Sequence, residues 1–293
     1  MTRGGFVALA GRPNVGKSTF VNAVVGEKVA IVSDRPQTTR RAIRGVHRSG
    51  DCQIVLVDLP GVQRPRDELT SRMARRVQQE LDGADATLLM LNAEQGVGPG
   101  DRFIARTLAS AQKPVTIAVN KVDRVARAAL MAVLADAAEL QARAEVFPIS
   151  ARRGSGISEL VEHLTGLMPE GPFLFAPDTS SDQSQELLMA ELIREAVIKR
   201  TFQELPHAVE VVVEEVEDLR DGLVRVRALV WVESDSQKAI LIGAHGRMIK
   251  AVGTAARREL QRVLGCQVHL ELSVRVRRDW RGDDALLDRL GIT

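Results

Sequence analysis

The chain has 293 residues and a mass of 32.0 kDa, with 45% hydrophobic and 27% charged residues. This length predicts one large domain or two ordinary ones, and the composition excludes disordered, collagen-like and coiled-coil chains. The 40 basic and 38 acidic side chains leave a formal net charge of +2, which by itself says nothing about nucleic-acid binding.

Apolar runs and cysteines bear on where the protein resides. The longest apolar runs fall far short of the roughly 18 residues that suggest a membrane span, and the first apolar stretch is too short for a secretory signal. Cys52 and Cys266 lie far apart without a metal-binding spacing, so we expect neither a disulfide framework nor a zinc site. A reducing cytoplasm is the expected location.

Short β-branched runs alternate with helical stretches in the first part of the chain. The runs occupy residues 6–10, 53–58, 87–93, 115–120 and 145–150. Such runs are typical of buried, mostly parallel strands with helices on both faces of the sheet. We predict a doubly wound α/β domain over residues 1–172, followed by a polar, Pro- and Ser-rich linker over 173–184.

The pattern changes after the predicted linker. Residues 185–203 place apolar side chains on one stripe and predict an amphipathic helix. Two alternating runs joined by Asp221-Gly222 predict an antiparallel hairpin, and two helices around a glycine-bearing turn precede a third strand over 267–280. The order α-β-β-α-α-β defines a second, α+β domain over residues 185–293.

Residues 11–18 read GRPNVGKS between a predicted strand and a predicted helix, the arrangement of a phosphate-binding loop. Glycines let the backbone wrap a phosphate, and the N–H groups of the helix N-terminus favour the anion. Lys17 can reach the outer phosphates, and Ser18 can ligate Mg²⁺. The residues assigned to this loop are Gly11, Arg12, Pro13, Asn14, Val15, Gly16, Lys17, Ser18 and Thr19.

A second motif, Asp58-Leu59-Pro60-Gly61, ends the next predicted buried strand. Asp58 can hold Mg²⁺ through water, and the backbone N–H of Gly61 can bind a γ-phosphate. Taken alone, this tetrapeptide is equally compatible with an ordinary turn.

A third motif, Asn120-Lys121-Val122-Asp123, ends a later strand and addresses the identity of the base. The Asp123 carboxylate can accept two hydrogen bonds from guanine, whereas adenine would leave it unpaired, and the stem of Lys121 can cover the ring. A backbone N–H of Ser150-Ala151 is placed to meet guanine O6. Because motifs at the carboxyl ends of parallel strands share one edge of the sheet, the three motifs together predict a GTP/GDP site.

Residues 35–40 are polar and lack a periodic pattern, as expected of a switch loop whose threonine binds Mg²⁺ only when a γ-phosphate is present. We favour Thr39 over Thr38 for this role. Val62 stands where Ras-like proteins often carry a water-positioning glutamine, and Gln63 lies one place later. We therefore expect slow basal hydrolysis.

The predicted catalytic residues are Lys17, Asn14, Thr39 and Gly61. Asn14 is placed to help hold a monovalent cation such as K⁺ beside the phosphates. A loop-stabilising Asx turn would explain this asparagine equally well.

In the second domain, Gly243-Ala244-His245-Gly246 separates two predicted helices, where a nucleic-acid backbone could approach the main chain. A helix C-cap followed by a new helix would use the same residues. Residues 243–281 carry nine Arg or Lys against three acids, a local charge of +6 that favours a polyanion. The predicted RNA contacts are Gly243, Ala244, His245, Gly246, Arg247, Lys250, Arg275, Arg277, Arg278 and Trp280. Aromatic residues amount to only 3%, so base stacking is expected to fall to Trp280 if to any residue.

The motifs at 11–18, 36–40, 58–61, 120–123, 150–151 and 242–250 resemble the Era family of bacterial GTPases along essentially the whole chain. The resemblance implies a Ras-like P-loop NTPase domain followed by a KH domain of type II order. It also implies GTP hydrolysis coupled to binding near the 3′ end of small-subunit ribosomal RNA, a role in ribosome assembly, and loose association with the inner membrane face. We expect a monomer. The sequence departs from the family at Leu59, where Thr is usual, and at Ala244, where Lys is frequent.

Two alternatives remain open at this point. One is a nucleotide-insensitive RNA-binding scaffold whose α/β domain merely folds around GDP. Intact Lys17, Ser18, Thr39 and Asp58 count against it, since a degenerate domain would be expected to lose its Mg²⁺ ligands. The other is a GTPase that acts on tRNA or at membranes through the same two domains.

Overall fold

The structure is a computed structural model that describes residues 1–35, 37–62, 65–111, 113–141, 143–202, 204–220 and 222–292. Pro36, Gln63 and Asp221, which figure in the predictions above, lie outside these residues. The chain forms two compact units that interleave in sequence. The first comprises Met1–Ala30, Thr39–Pro65 and Ser71–Asp182, and the second comprises Ile31–Thr38, Arg66–Thr70 and Gln183–Thr293.

The N-terminal part of the chain builds a six-stranded sheet flanked by helices. Its elements are β1 (Arg3–Ala10), α1 (Lys17–Val25), β2 (Ile43–Ser49), β3 (Cys52–Asp58), α2 (Glu68–Gly83), β4 (Ala86–Asn92), α3 (Pro99–Ala109), β5 (Val115–Asn120), α4 (Arg127–Ala138), β6 (Val146–Pro148) and α5 (Ile157–Leu167). The strand order is β2-β3-β1-β4-β5-β6, and every pair is parallel except β2 with β3. The predicted doubly wound α/β fold is confirmed.

Both faces of this sheet are buried. On β4, Leu88 and Met90 pack into one apolar cluster, and Leu89 and Leu91 pack into another on the opposite face. This follows from the two-residue period of a strand, and it explains why the sequence shows continuous apolar runs. The parallel register brings the carboxyl ends of β1, β3, β4 and β5 to one edge of the sheet, where the polar motifs begin.

Strand β2 was not predicted from the sequence. Its alternation is broken by polar side chains and by Gly45, whose missing side chain makes room for Val21 and Val25 of α1. The strand is held by its antiparallel pairing with β3.

Residues 173–182, predicted to be linker, belong to the first unit. The buried amide of Gln53 donates to the Phe175 carbonyl (3.0 Å) and accepts the N–H groups of Leu174 (2.7 Å) and Phe175 (2.9 Å). Further along, the N–H of Val46 donates to the Ser180 carbonyl (2.8 Å). The backbone N–H and carbonyl groups of this polar segment therefore form hydrogen bonds with β2 and β3.

The C-terminal part of the chain packs helices against a three-stranded sheet. Its elements are α6 (Gln185–Ile198), α7 (Leu205–Ala208), β7 (Glu210–Arg220), β8 (Leu223–Val232), α8 (Asp235–Ile242), α9 (Arg247–Leu264), β9 (Gln267–Val276) and α10 (Asp284–Arg289). Strand β8 pairs antiparallel with β7 and parallel with β9. The predicted α-β-β-α-α-β order of the KH domain is confirmed. Among the described residues, no helix has both the length and the apolar character needed to cross a membrane.

Helix α6 differs from the amphipathic helix predicted at this position. Every residue from Met189 to Ile198 is buried, including Glu191, Arg194 and Glu195. Within the second unit, apolar side chains of α6 pack with the sheet and also with Ile31. The charged positions that resemble a solvent-facing stripe in the sequence are therefore interior.

Candidate nucleotide site and nucleic-acid interface

The phosphate loop connects β1 to α1 and depends on Gly16. This residue has a φ of 106°, and a Cβ here would collide with the side-chain amide of Asn120. The Nζ of Lys17 donates to the carbonyls of Gly11 (3.3 Å) and Arg12 (3.2 Å), so it lies over the loop. Burial lowers the pKa of Lys17, and the nearby charge of Asp58 opposes that shift.

The structure brings Ser18, Thr39 and Asp58 together. The Ser18 hydroxyl donates to Asp58 Oδ2 (2.5 Å), and the Thr39 hydroxyl lies 3.2 Å from Ser18 Oγ and 3.5 Å from Asp58 Oδ2. Thr38 points elsewhere, since its hydroxyl donates to the Arg35 carbonyl (2.7 Å). Of the two threonines, only Thr39 has its hydroxyl at this cluster.

The chemistry of this cluster suits a hard cation. Asp58 is fully buried, and burial is the main reason that its pKa rises to about 6. Its Oδ1 has no hydrogen-bond partner among the described residues. A divalent ion would neutralise the buried carboxylate and accept the oxygen donors of all three side chains.

Two side chains build the predicted base site. Asn120 joins two loops, because its amide nitrogen donates to the Val15 carbonyl (2.8 Å) and its oxygen accepts the N–H of Ala151 (2.9 Å). Asp123 accepts the Ser150 hydroxyl (2.6 Å), which is the main reason that its pKa lies below the usual range. The Asp123 carboxylate is therefore charged, and the Ser150 hydroxyl holds it in place.

The N–H groups predicted to meet guanine O6 already have partners within the protein. The N–H of Ser150 donates to the Ser155 carbonyl (2.9 Å), and the N–H of Ala151 donates to Asn120. Both donors are used within the protein, so O6 would have to share the Ala151 donor.

Some residues of the predicted nucleotide set face away from the phosphate loop. The Arg12 guanidinium forms a two-point ion pair with the buried Asp101 at the start of α3 (2.9 and 2.8 Å). Leu59 is fully buried in the apolar cluster between the sheet and its helices, and Val62 packs against that cluster. Arg12 and Leu59 can therefore contribute only main-chain groups, and the side chain of Val62 orients no water. No pattern in the sequence predicted the contact that Asp101 makes with Arg12.

In the second unit, the turn between α8 and α9 projects a short backbone segment. Gly243, His245 and Gly246 all have positive φ (70°, 54° and 73°), and the N–H of Gly246 donates to the Gly243 carbonyl (3.1 Å). A Cβ at Gly243 would press on Met248, whereas nothing lies within 4 Å of the same position at Gly246. The Gly246 side of the turn is open to a ligand.

A groove of about 430 Å³ runs between α9 and β9 next to this turn. It is lined by Ile249, Lys250, Gly253, Thr254, Arg257, Leu270 and Leu272. The apolar floor of the groove suits the flat face of a nucleic-acid base. The basic rim suits a phosphate group that would lie outside the groove. Of these residues, only Lys250 was predicted from the sequence. The period-two alternation of Leu270 and Leu272 was the signal available for the floor.

The structure corrects one predicted RNA contact, Trp280, and shows on which face of the sheet two others lie. Trp280 is fully buried and donates its indole N–H to the Ala208 carbonyl (3.0 Å), so it cannot stack on a base. Arg275 on β9 and Arg277 directly after the strand alternate with Val274 and Val276, which pack against the core. The two arginines therefore lie on the face of the sheet opposite Leu270 and Leu272, because successive side chains of a strand point to opposite faces.

A further pair of predicted contacts also has partners within the protein. Arg278 lies 3.9 Å from Asp235 at the start of α8. The Nε of Arg247 folds back on the Ala244 carbonyl (3.3 Å). Of the predicted cations, Lys250 is the one that lines the groove.

A P-loop nucleotide domain and a KH domain define the class of this protein as a KH-domain GTPase. Comparison with known families agrees. Residues 6–121 match the family described as 50S ribosome-binding GTPase, and residues 204–281 match the KH domain.

Individual relatives match this chain over nearly its whole length. GTPase Era of Lacticaseibacillus paracasei is 44% identical over 287 residues, covering 98% of this chain and 96% of that protein. GTPase Era of Mycobacterium tuberculosis is 44% identical over 293 residues, covering 98% of both chains. The chain belongs to the Era family of GTPases, and the predicted GTP hydrolysis and family resemblance are confirmed.

Two solved structures cover the whole chain. A variant of Aquifex aeolicus Era bound to GDP and AlF4⁻ superposes with a TM-score of 0.95, at 33% identity over 100% of both chains. Era in complex with MgGDPNP and nucleotides 1506–1542 of 16S ribosomal RNA gives a TM-score of 0.96, again at 33% identity and 100% coverage.

Proposed function

We propose that this GTPase binds single-stranded RNA near the 3′ end of small-subunit ribosomal RNA and acts in assembly of the small subunit. The observation that carries the proposal is the groove between α9 and β9, with Leu270 and Leu272 below and Lys250 and Arg257 at the rim. The related structure that holds 16S ribosomal RNA supports the choice of RNA. With few aromatic residues, hydrogen bonds and apolar contact in the groove supply the affinity.

At the nucleotide site, Ser18, Thr39 and Asp58 are proposed to hold Mg²⁺, which would neutralise the β- and γ-phosphates. Their mutual distances of 2.5–3.5 Å and the buried Asp58 carboxylate support this assignment. The related structure with MgGDPNP holds the same ion. Lys17 binds the outer phosphates, and the main chain of Gly61 binds the γ-phosphate. The remaining residues of the predicted phosphate loop and base site are proposed to have the roles predicted from the sequence, with Arg12 and Leu59 contributing only main-chain groups.

Hydrolysis is proposed to use a monovalent cation in place of a glutamine. Val62 packs into the apolar cluster, so it orients no water. Asn14 lies in the phosphate loop in the left-handed region with a φ of 64°, and its amide is proposed to help hold K⁺. A cation there would offset the charge that develops on the transferred phosphoryl group.

The proposed function also includes a different RNA affinity in each nucleotide state. By linkage, RNA must then change the affinity for nucleotide by the same factor. The test is fluorescence anisotropy with an oligonucleotide of the ribosomal 3′ end and a scrambled oligonucleotide of equal length as control. Each is titrated with GTP analogue, with GDP and without nucleotide.

We expect tight binding of the 3′-end oligonucleotide alone, with affinities that differ between the nucleotide states. Equal affinity for both oligonucleotides contradicts the RNA assignment and favours another RNA. Specific binding that is identical in all three nucleotide states contradicts coupling and leaves an RNA-binding scaffold with an independent GTPase.

A further inference from the structure

Helix α9 carries a glycine, Gly253, well inside both of its ends. The helix runs from Arg247 to Leu264, and Gly253 has a helical backbone there, without the positive φ that favours glycine. Within a helix, glycine lowers stability relative to alanine, because it loses more backbone freedom on folding. A glycine at this position therefore needs a reason other than backbone geometry.

Packing within the protein does not supply that reason. Outside α9 itself, the described atom that lies within 4 Å of a Cβ built on Gly253 is Cδ1 of Leu272, at 3.6 Å. This is an ordinary van der Waals distance, so alanine would fit without moving the leucine. Gly45 shows the opposite case, since a Cβ there would lie 2.5 Å from a side-chain carbon of Val21 and would clash.

The surroundings of Gly253 point to a ligand. Lys250 lies one turn before it and Arg257 one turn after it, on the same helix face, and all three line the groove between α9 and β9. Neither cation forms an ion pair with another of the described residues. Bare backbone therefore lies between two unpaired cations, above the apolar side chains of Leu270 and Leu272.

This wall of the groove suits the flat face of a nucleic-acid base. Glycine lets a ligand approach the helix backbone closely, whereas a methyl group would hold the ring farther away. Aromatic side chains, which commonly stack on bases, amount to only 3% of this chain, and Trp280 is buried. Contact with the backbone and with the leucine floor therefore replaces stacking, while the two cations suit phosphates on either side of the base.

We propose that Gly253 is a base-contact position, where the flat face of one unpaired RNA base lies against the Cα atom and the missing side chain admits it. This inference rests on the proposed binding of single-stranded RNA in the groove. It explains why α9 keeps a glycine at a position where alanine would fit and would stabilise the helix.

The test compares the full-length parent protein with Gly253→Ala and Gly253→Leu. Affinity for the oligonucleotide of the ribosomal 3′ end is measured by fluorescence anisotropy with GTP analogue at several salt concentrations, and the thermal midpoint is measured without RNA. Gly166→Ala is the matched control. Gly166 lies in helix α5, and no described atom outside that helix lies within 4 Å of a Cβ built there.

Gly253→Ala should bind the oligonucleotide about tenfold more weakly, since contact with one base typically contributes a factor of this size or more. Gly253→Leu should bind more weakly still. The thermal midpoint of Gly253→Ala should rise by about 2–4 °C, because alanine favours the helix. The slope of log affinity against log salt should stay the same, because no cation is removed. Gly166→Ala should leave RNA affinity unchanged.

A set of abasic oligonucleotides then identifies the group that lies in the groove. Each member lacks the base of one nucleotide, at successive positions of the sequence. At one position the parent should lose affinity while Gly253→Ala loses little more, because the base that the methyl group displaces is already absent.

Unchanged RNA affinity in both Gly253 variants would overturn the proposal. A lower thermal midpoint in Gly253→Ala would also overturn it, since the glycine would then serve packing. Additive losses at every abasic position would show that sugar or phosphate lies against α9, which contradicts a base contact. A parent protein that binds a scrambled oligonucleotide equally well would refute only the ribosomal RNA assignment, because the effect of Gly253→Ala can be measured on either sequence.

Discussion

The hydroxyl of Ser150 donates a 2.6 Å hydrogen bond to Oδ1 of Asp123, which lies 27 positions earlier in the chain. The bond comes from a loop after β6 and reaches a loop after β5, so it fixes one carboxylate between two strand ends. Because it also favours the charged form and lowers the pKa of Asp123, the carboxylate stays ionised at neutral pH. Guanine offers two N–H donors to such a group.

Replacing this carboxylate should change which base is bound. In Asp123→Asn, an amide N–H faces the guanine 2-amino group, so GTP affinity should fall at least about 100-fold, with preference moving towards xanthosine triphosphate. Calorimetry with GTP, XTP and ATP measures the change. Arg153→Ala is the control, since Arg153 is mostly exposed and lies 3.6 Å from Asp123. The assignment fails if the parent protein binds ATP and GTP equally.

Turnover of GTP should be slow in Na⁺ and rise in K⁺. The absent glutamine deprives the reaction of an oriented group of a kind that typically contributes about 10²- to 10³-fold. Asn14→Gly removes the amide but suits the φ of 64° at this position, so the loop should keep its shape and its affinity for GDP. We expect this variant to lose most of the K⁺ response.

Phosphate release in KCl and NaCl at equal ionic strength is the measurement for this prediction. Asn14→Ala serves as a second variant that separates backbone strain from loss of the amide. Fast turnover in Na⁺ that K⁺ does not change would show that another residue orients the water.

The open position at Gly246 allows a charge to be introduced without a clash. Gly246→Asp should abolish RNA binding and leave GTP affinity intact, because its carboxylate would stand where a phosphate approaches the turn. Gly246→Ala is the control, since nothing lies within 4 Å of the new Cβ. It should cost only the left-handed strain of about 1–2 kcal/mol in stability. Similar loss of RNA affinity in both variants would indicate a backbone effect.

Lys250 and Arg277 should contribute differently to the salt dependence of RNA binding, because they lie on different faces. Lys250 lines the groove, whereas Arg277 follows β9 on the opposite face. Lys250→Ala should weaken RNA binding and lower the slope of log affinity against log salt by about one unit. Arg277→Ala should leave that slope unchanged. A lower slope in Arg277→Ala would show that the RNA path extends across the sheet.

Trp280 should affect stability and have no direct effect on RNA affinity. Trp280→Ala removes a fully buried ring and should cost about 3–5 kcal/mol in the free energy of unfolding. Trp280→Phe keeps most of the volume and leaves the Ala208 carbonyl without its donor, so about 1–3 kcal/mol is expected. Urea unfolding measures both. Reduced RNA affinity of the fully folded Phe variant would restore the stacking role.

How well each part of this molecule could be predicted from the sequence depends on how far apart in the chain the interacting residues lie. Apolar runs identified β1, β3, β4 and β5, because both faces of these strands are buried. Strand β2 was not predicted, because its Gly45 makes room for the side chains of Val21 and Val25 on another element.

The same distinction holds for the site. The contiguous motifs located the phosphate loop, Asp58 and Asp123, because each motif is a local backbone shape with its own ligand atoms. Arg194 and Asp101 could not be found this way. Each is a charged residue within a helix, and only contacts from distant residues show that it is buried.

Gln53 determines where the chain can be divided. A fragment that ends at residue 172 retains all six strands, yet it removes the three hydrogen bonds that residues 174 and 175 make with this buried amide. Each buried group left without a partner costs about 1–3 kcal/mol, so extending the fragment to Asp182 should recover stability without adding a strand. Because residues 31–38 belong to the second unit, no single cleavage yields either unit complete.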